Sequence, residues 1–164
     1  MLTLLILLVL LYYLVETAIK VLNFKESKKP LHPTLANLYS KSEYQRSLEY
    51  SQANFTTSLA NSTYSVVVLV VALLTGVFGA IDRWVRELTS SEILIAIIFF
   101  AIIFLASDLL DLPFDLYGTF VIEAKFGFNK TTAKTFIFDK IKGYLLGGVL
   151  GGGLLALIIF IYQI

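Results

Sequence analysis

The stretch MLTLLILLVLLYYLV, residues Met1–Val15, contains no charged side chain and decides the class of fold. Three further uncharged apolar stretches follow it, at Tyr64–Ile81, Ile93–Ser107 and Tyr144–Ile164. A helix needs about 20 mostly apolar residues to cross the hydrocarbon core of a bilayer, and the third stretch gains that length by continuing toward Leu112. We therefore predict an all-α integral membrane protein with four transmembrane helices, over residues 1–22, 64–81, 93–112 and 144–163.

The composition supports the same class of protein. Hydrophobic residues make up 57% of the chain and charged residues 15%, whereas soluble domains contain about a quarter charged residues. The net charge of +1 and the lack of a basic stripe argue against a nucleic-acid partner, so we expect the lipid bilayer as the surrounding partner. Met1–Val15 has no basic n-region and no small-residue cleavage site after it, so we expect a retained span and not a signal peptide.

Lys and Arg are unevenly distributed between the predicted loops. Most of them lie in the loops 23–63 and 108–143, whereas the loop between the second and third spans contains only Arg83 and Arg86. The positive-inside rule places the two basic loops in the cytoplasm. The N-terminus would then lie on the outer or lumenal side of the membrane.

Two amphipathic helical segments are predicted within the cytoplasmic loops. Ser40 and Glu43 have the spacing of a capping box, so a helix should begin near Ser40 and continue into the second span. A second helix is predicted over residues 130–142, with Asn129 as its N-cap and the fourth span as its continuation. We interpret the first segment as an amphipathic helix on the membrane surface, with a role in admitting a substrate as the alternative.

Small residues recur at four-residue spacing in the second and fourth spans. Such spacing lets two helix backbones approach closely in lipid, where the hydrophobic effect no longer drives helices together. We therefore predict helix packing at these positions, with a flexible or cavity-lining helix as the alternative. The positions are Gly76, Ala80, Gly147, Gly148, Gly151 and Gly152.

An acidic cluster lies at the end of the third span. Asp108, Asp111 and Asp115 fall at i, i+3 and i+7, so a continuous helix would place them on one face, with a kink expected at Pro113. A carboxylate at the bilayer centre costs about 2.5–3.5 kcal/mol. We expect a helix end that reaches water, with two alternatives: a cation or proton site, and the lining of a polar chamber.

The residue types needed for catalysis are scarce. The chain has no cysteine, and His32 is its one histidine. A catalytic zinc site commonly takes three protein ligands, so His32 is interpreted as an exposed loop residue. We assign no catalytic and no metal-binding residue.

The segment Phe120–Asn129, FVIEAKFGFN, is long and unusual in composition, and Leu112-Pro113-Phe114 precedes it. This segment resembles the type I CAAX prenyl proteases, which are integral-membrane zinc metalloendopeptidases. The resemblance covers nearly the whole chain but only the N-terminal part of the family's length. Members carry H-E-x-x-H on a later helix and a further downstream Glu, which hold zinc and activate water. This chain contains neither.

The resemblance implies a membrane-embedded N-terminal portion that is not catalytic alone, with no cofactor in this segment and zinc in the complete enzyme. The implied partners are the missing C-terminal protease portion and prenylated or other membrane-protein substrates. The family fold is a ring of seven helices around a water-filled chamber, and these four helices would form part of its wall. The residues expected to line the chamber or the seam with the protease domain are Asp108, Asp111, Asp115, Glu123, Lys125 and Asn129.

Two other functions stay open on the sequence. One is a non-enzymatic membrane scaffold or assembly subunit. The other is an ion or proton pathway along the face that carries Asp108, Asp111 and Asp115.

Overall fold

The computed structural model describes residues 1–29 and 40–163. His32 lies outside the described residues. Within them the chain is helical and contains no strand, which confirms the all-α prediction. The helices are α1 (Leu2–Ser27), α2 (Lys41–Thr75), α3 (Val77–Leu88), α4 (Glu92–Tyr117), the three-residue α5 (Ala124–Phe126) and α6 (Ala133–Gln163), and a π-helical turn (Gly118–Glu123) joins α4 to α5.

Four helical segments in the described part of the chain are long and apolar enough to cross a membrane. They are Leu2–Ser27, Lys41–Thr75, Glu92–Phe126 and Ala133–Tyr162. The predicted number of transmembrane helices is therefore confirmed. At about 1.5 Å per residue, even a 26-residue helix is about 39 Å long, which exceeds the roughly 30 Å of the hydrocarbon core.

The chain packs as two compact units. The first contains the chain up to Leu74 together with Pro113–Asn129, and the second contains Thr75–Leu112 together with the chain from Lys130 onward. Helix α4 contributes to both units and continues through Pro113 to Tyr117.

Helix α2 begins as the sequence predicts. The backbone N–H of Ser40 donates to Glu43 Oε2 at 2.9 Å, and the Glu43 N–H donates to Ser40 Oγ at 3.2 Å, which completes the capping box. The hydrogen bonds from Ser40 lower the pKa of the Glu43 carboxyl, which lies well before the apolar part of α2. From this cap, α2 continues for 35 residues into the apolar run without a break.

Gly76 ends α2 earlier than the sequence predicts. Its φ of 73° lies in the left-handed region, which a residue with a Cβ adopts only with strain. The predicted continuous helix through Ile81 is therefore interrupted, and Gly76 becomes the N-cap of α3, ahead of Ala80. This glycine therefore has a conformational role, and its predicted role in helix packing stays a prediction.

Helix α6 also begins at a different residue. The Thr135 N–H donates to Thr132 Oγ1 at 3.1 Å, so Thr132 caps the helix, which starts at Ala133. The prediction of Asn129 as the cap is wrong, because α6 begins only at Ala133, directly after Thr132. The Asn129 N–H donates instead to the carbonyl of Glu123, which precedes α5. As predicted, α6 then continues through the glycine-rich run as one helix.

The left-handed conformation of Gly76 can be tested with a matched pair of alanine substitutions. We expect Gly76→Ala to lower the free energy of unfolding by about 1–2 kcal/mol, because Cβ clashes with the backbone at this φ. Gly79→Ala is the control, since its Cβ would meet Arg83 Nη1 at an ordinary 3.6 Å within α3. Denaturation of the detergent-solubilised chain, followed by circular dichroism, measures both. Equal effects at the two positions would contradict the role of Gly76.

Candidate functional site

Polar side chains line a groove between α1 and α2 in the first unit. Four of them recur on α2 at i, i+3, i+4 and i+7, the spacing of one helix face. Two charged residues of α1 lie across from them, and the groove has a volume of about 550 Å³. We call this surface the α1–α2 polar groove; its polar lining is Glu16, Lys20, Ser58, Asn61, Ser62 and Ser65.

The charges of the α1–α2 polar groove are paired. Lys20 Nζ lies 2.8 Å from Glu16 Oε1, one helical turn away, and also donates to Ser62 Oγ at 3.2 Å. The Lys20 and Glu16 side chains are 25% and 35% exposed. The pair is therefore neutral as a whole and directs its ammonium group toward α2. Such a surface can donate and accept hydrogen bonds without carrying net charge.

This groove is not predicted from the sequence. Two signals were present: Glu16 and Lys20 are one turn apart at the end of an apolar run, and Ser58, Asn61 and Ser65 follow a helical spacing. Each helix alone has the pattern of a membrane span that ends in water. The packing of α1 against α2 combines the two polar faces into one surface.

A second polar pocket lies in the same unit, beside the π-helical turn. Its volume is about 440 Å³, and its charged lining residues are Glu49 of α2 and Lys125 of α5. Tyr117, the last residue of α4, also lines it, with Gln52, Ala53, Thr56 and Thr57 of α2. π-Helical turns are rare and occur frequently at functional sites. Of the residues predicted from the sequence to line the chamber or the seam, this pocket contains Lys125.

The C-terminal end of α5 forms a Schellman motif. The Gly127 N–H donates to the Ala124 carbonyl at 3.1 Å, and the Phe128 N–H donates to the Glu123 carbonyl at 2.8 Å. Gly127 has a φ of 77°, the left-handed conformation that this motif requires. The predicted site residue Glu123 therefore acts here through its backbone carbonyl, which also accepts from the Asn129 N–H at 3.2 Å.

Side chains of α2 contact the end of α5 and the residues that follow it. Arg46 Nη2 donates to the Phe126 carbonyl at 2.6 Å, which pairs a positive charge with the carbonyl end of a helix. The Tyr50 ring packs edge-on against Phe126 and Phe128, with centroid distances of 5.3 and 4.9 Å. Phe126 is 4% exposed. The segment that carries the family resemblance is thus anchored to α2.

Asp108 joins α4 to α6 within the second unit. One carboxylate oxygen lies 2.6 Å from Lys140 Nζ, and the other accepts from Tyr144 Oη at 2.5 Å. The Asp108 and Lys140 side chains are 21% and 22% exposed. Both oxygens of this carboxylate are therefore engaged in helix pairing.

The three aspartates of the acidic cluster do not form a metal site. Asp108 and Asp111 belong to the second unit, whereas Asp115 is exposed and belongs to the first. Across residues 1–29 and 40–163, no three His, Cys, Asp or Glu side chains approach closely enough to hold a metal ion. The resemblance implies zinc in the later part of the complete enzyme, so we derive no step through it from the described residues.

The glycines of α6 line an open apolar groove in the second unit. Its volume is about 430 Å³, and the facing residues on α4 include Phe100 and Phe104. A Cβ built at any of the four glycines meets no atom within 4 Å. Their predicted role in helix packing stays a prediction, as does the alternative of a cavity-lining helix. The glycines are Gly147, Gly148, Gly151 and Gly152.

The fold and its polar surfaces define a multi-pass α-helical membrane protein. The family model described as "CAAX prenyl protease N-terminal, five membrane helices" matches residues 19–164. A CAAX prenyl protease 1 homolog of Oryza sativa subsp. japonica is 35% identical over 94% of this chain and 38% of its own length. CAAX prenyl protease 1 of Saccharomyces cerevisiae is 29% identical over 85% of this chain and 33% of its own length.

A solved structure agrees with these matches. The crystal structure of S. mikatae Ste24p superposes with a TM-score of 0.82 at 26% identity, covering 96% of this chain and 39% of that one. The chain belongs to the CAAX prenyl protease family and corresponds to its N-terminal membrane portion. It spans less than two fifths of the length of these relatives.

The link between α4 and α6 can be measured with a double-mutant cycle. We expect Asp108→Leu or Lys140→Leu alone to lower the free energy of unfolding by about 2 kcal/mol, because each removes a charged hydrogen-bond partner from a half-buried side chain. The double variant should recover most of that loss. Tyr144→Phe, which removes one hydrogen bond, should cost about 1 kcal/mol. Denaturation in detergent measures all four, and additive losses in the double variant would contradict the coupling.

Proposed function

We propose that this chain forms part of the wall of a water-filled intramembrane chamber in a zinc-dependent CAAX-type endopeptidase, and that it does not catalyse alone. The observation that carries the proposal is the α1–α2 polar groove. Ionisable side chains within transmembrane helices face the interior of the helix assembly or a water-filled cavity, because exposure to lipid is costly. Glu16 and Lys20 on α1, with Asn61 on α2, give this part of the chain a wet face.

The composition of the groove suits contact with a polypeptide. The hydroxyl groups of Ser58 and Ser65 and the amide of Asn61 can hydrogen-bond to peptide N–H and C=O groups. The Glu16–Lys20 pair adds polarity without net charge, so the surface would not select strongly for the charge of a substrate. The substrates that we propose are prenylated proteins or other membrane proteins.

The proposed orientation places the N-terminus outside or in a lumen and the loops 23–63 and 108–143 in the cytoplasm. The excess of Lys and Arg in these loops supports it. The second polar pocket, with Glu49, Tyr117 and Lys125, then lies toward the cytoplasmic side of the first unit. We propose that this region, with Asp115 and Asn129, borders the seam with the remainder of the protease.

We assign the zinc and the bond cleavage to the part of the relatives that this chain does not match. Zinc bound there would polarise the scissile carbonyl and activate water. The residues of this chain would position the substrate and keep it in contact with water. Among the described residues, Asp108 is engaged in pairing α4 with α6 and is given no catalytic role.

Two cysteine variants test the proposed wet face. The chain has no native cysteine, so Ser65→Cys in the α1–α2 polar groove and Val67→Cys, which lies outside the groove lining and is 56% exposed, can be compared directly. In the protease assembled with its remaining portion in vesicles, we expect a membrane-impermeant thiol reagent to label residue 65 faster than residue 67. Equal protection of both cysteines would place the groove against lipid or protein and end the proposal of a wet wall.

A chimera tests the proposed enzyme. We expect a protein in which this chain replaces the matched N-terminal part of the S. cerevisiae relative to cleave a prenylated CAAX peptide. A chelator should abolish the cleavage and zinc should restore it. The 164-residue chain alone should stay at background. A folded, membrane-inserted chimera without cleavage would favour the non-enzymatic scaffold.

A further inference from the structure

Helix α3 carries one apolar stripe. Val77, Ile81, Trp84 and Leu88 are spaced by four, three and four residues, which places them on one helix face. Val77, Trp84 and Leu88 are 42%, 53% and 57% exposed. Asp82, Arg83 and Arg86 lie on the opposite side of α3, and Glu87 borders the stripe, three residues after Trp84. An apolar face that includes a tryptophan is thus left uncovered in the second unit.

The rotation of α3 about its axis is fixed. Val85, beside the apolar stripe on the helix surface, is fully buried in the second unit. The N-terminal end of α3 is set by the left-handed Gly76, and its C-terminal end by Thr89, which is extended with φ −158° and ψ 149°. The stripe therefore has a defined direction and does not turn inward.

The length of α3 places it at a membrane surface. Its 12 residues extend about 18 Å, which is too short for a hydrocarbon core of roughly 30 Å. In the chain, α3 lies directly between α2 and α4, both of which are long and apolar enough to cross the bilayer. Since both ends of α3 connect to such helices, it lies at the level where they leave the membrane.

The charges of α3 balance. Asp82 and Glu87 oppose Arg83 and Arg86 in formal charge. Arg86 Nε lies 3.0 Å from Asp82, and Arg86 Nη1 lies 3.3 Å from Glu92, the first residue of α4. The polar face thus lacks the net positive charge that attracts anionic lipids. Apolar contact, and not charge, is the attraction that this helix offers to a membrane.

We propose that α3 is an interfacial helix whose stripe of Val77, Trp84 and Leu88 inserts into the boundary between lipid headgroups and acyl chains. Insertion of such helices reaches roughly 5–10 Å. The indole of Trp84 suits this level, where amphipathic rings are enriched. On α4 of the same unit, Leu94 and Phe100 are also exposed, at 48% and 55%. The partner of this surface is a zwitterionic lipid leaflet, and α3 sets the depth of the second unit.

Trp84 is the one tryptophan of the chain, so the tryptophan fluorescence reports the surroundings of this side chain alone. In phosphatidylcholine vesicles, we expect its fluorescence to be quenched more by lipids brominated near the headgroup end of the acyl chain than by lipids brominated near the terminal methyl. Aqueous iodide should quench weakly, and added anionic lipid should change neither result. Strong quenching by iodide would overturn the proposal. Protection from both iodide and brominated lipids would also overturn it, since a protein partner would then cover the stripe.

A pair of spin labels gives an independent readout. Leu88→Cys labels the apolar stripe, and Arg83→Cys, also exposed, labels the opposite, polar face. We expect the nitroxide at residue 88 to collide more often with oxygen, which concentrates in lipid, than with a water-soluble nickel complex. The nitroxide at residue 83 should show the reverse. The same preference at both positions would overturn the proposal. Neither residue belongs to the α1–α2 polar groove, so this result does not depend on the proposed protease function.

Discussion

The high free-energy cost of a polar group without a partner in hydrocarbon governs this structure. In lipid, each backbone N–H and C=O must be satisfied within its own helix, so the described segments that can cross a membrane are long helices. The same cost applies to the side chains of those helices. Each charged group near an apolar run must pair, face water or leave the membrane. The two units of the chain meet this constraint in different ways.

In the second unit, the constraint is met by closing a polar cluster. Asp108 accepts from both Lys140 and Tyr144, so its carboxylate has two partners in an apolar setting. In the first unit, Glu16 and Lys20 pair, but the groove around them stays open and is lined by the hydroxyl and amide groups of α2. A closed cluster holds two helices together, whereas the polar side chains of an open groove need water or another polar surface beside them. This difference is why we assign function to the α1–α2 polar groove and a structural role to Asp108.

Much of the fold could be predicted because its strongest signals are local. Uncharged runs gave the spans, and the spacing of Ser40 and Glu43 gave the start of α2. The errors come from residues with two compatible roles. A glycine in an apolar run suits close packing as well as a left-handed break, and φ at Gly76 selects the break. Asn129 and Thr132 can both cap a helix, but α6 begins at Ala133, so Thr132 caps it, while the Asn129 N–H donates to the Glu123 carbonyl.

The candidate site was harder to predict than the fold because it forms between helices. The pattern on α1 alone, or on α2 alone, is that of a span reaching water, and the groove exists only when both polar faces meet. The family-specific segment behaves differently, because its unusual residues satisfy local requirements: Gly127 supplies a left-handed φ, Phe126 is buried, and Arg46 binds the carbonyl of Phe126. A motif can therefore identify a protease family while its own residues cap a helix and anchor it to α2. Recognition of the family and location of its chemistry are separate inferences, and in this chain they depend on different residues.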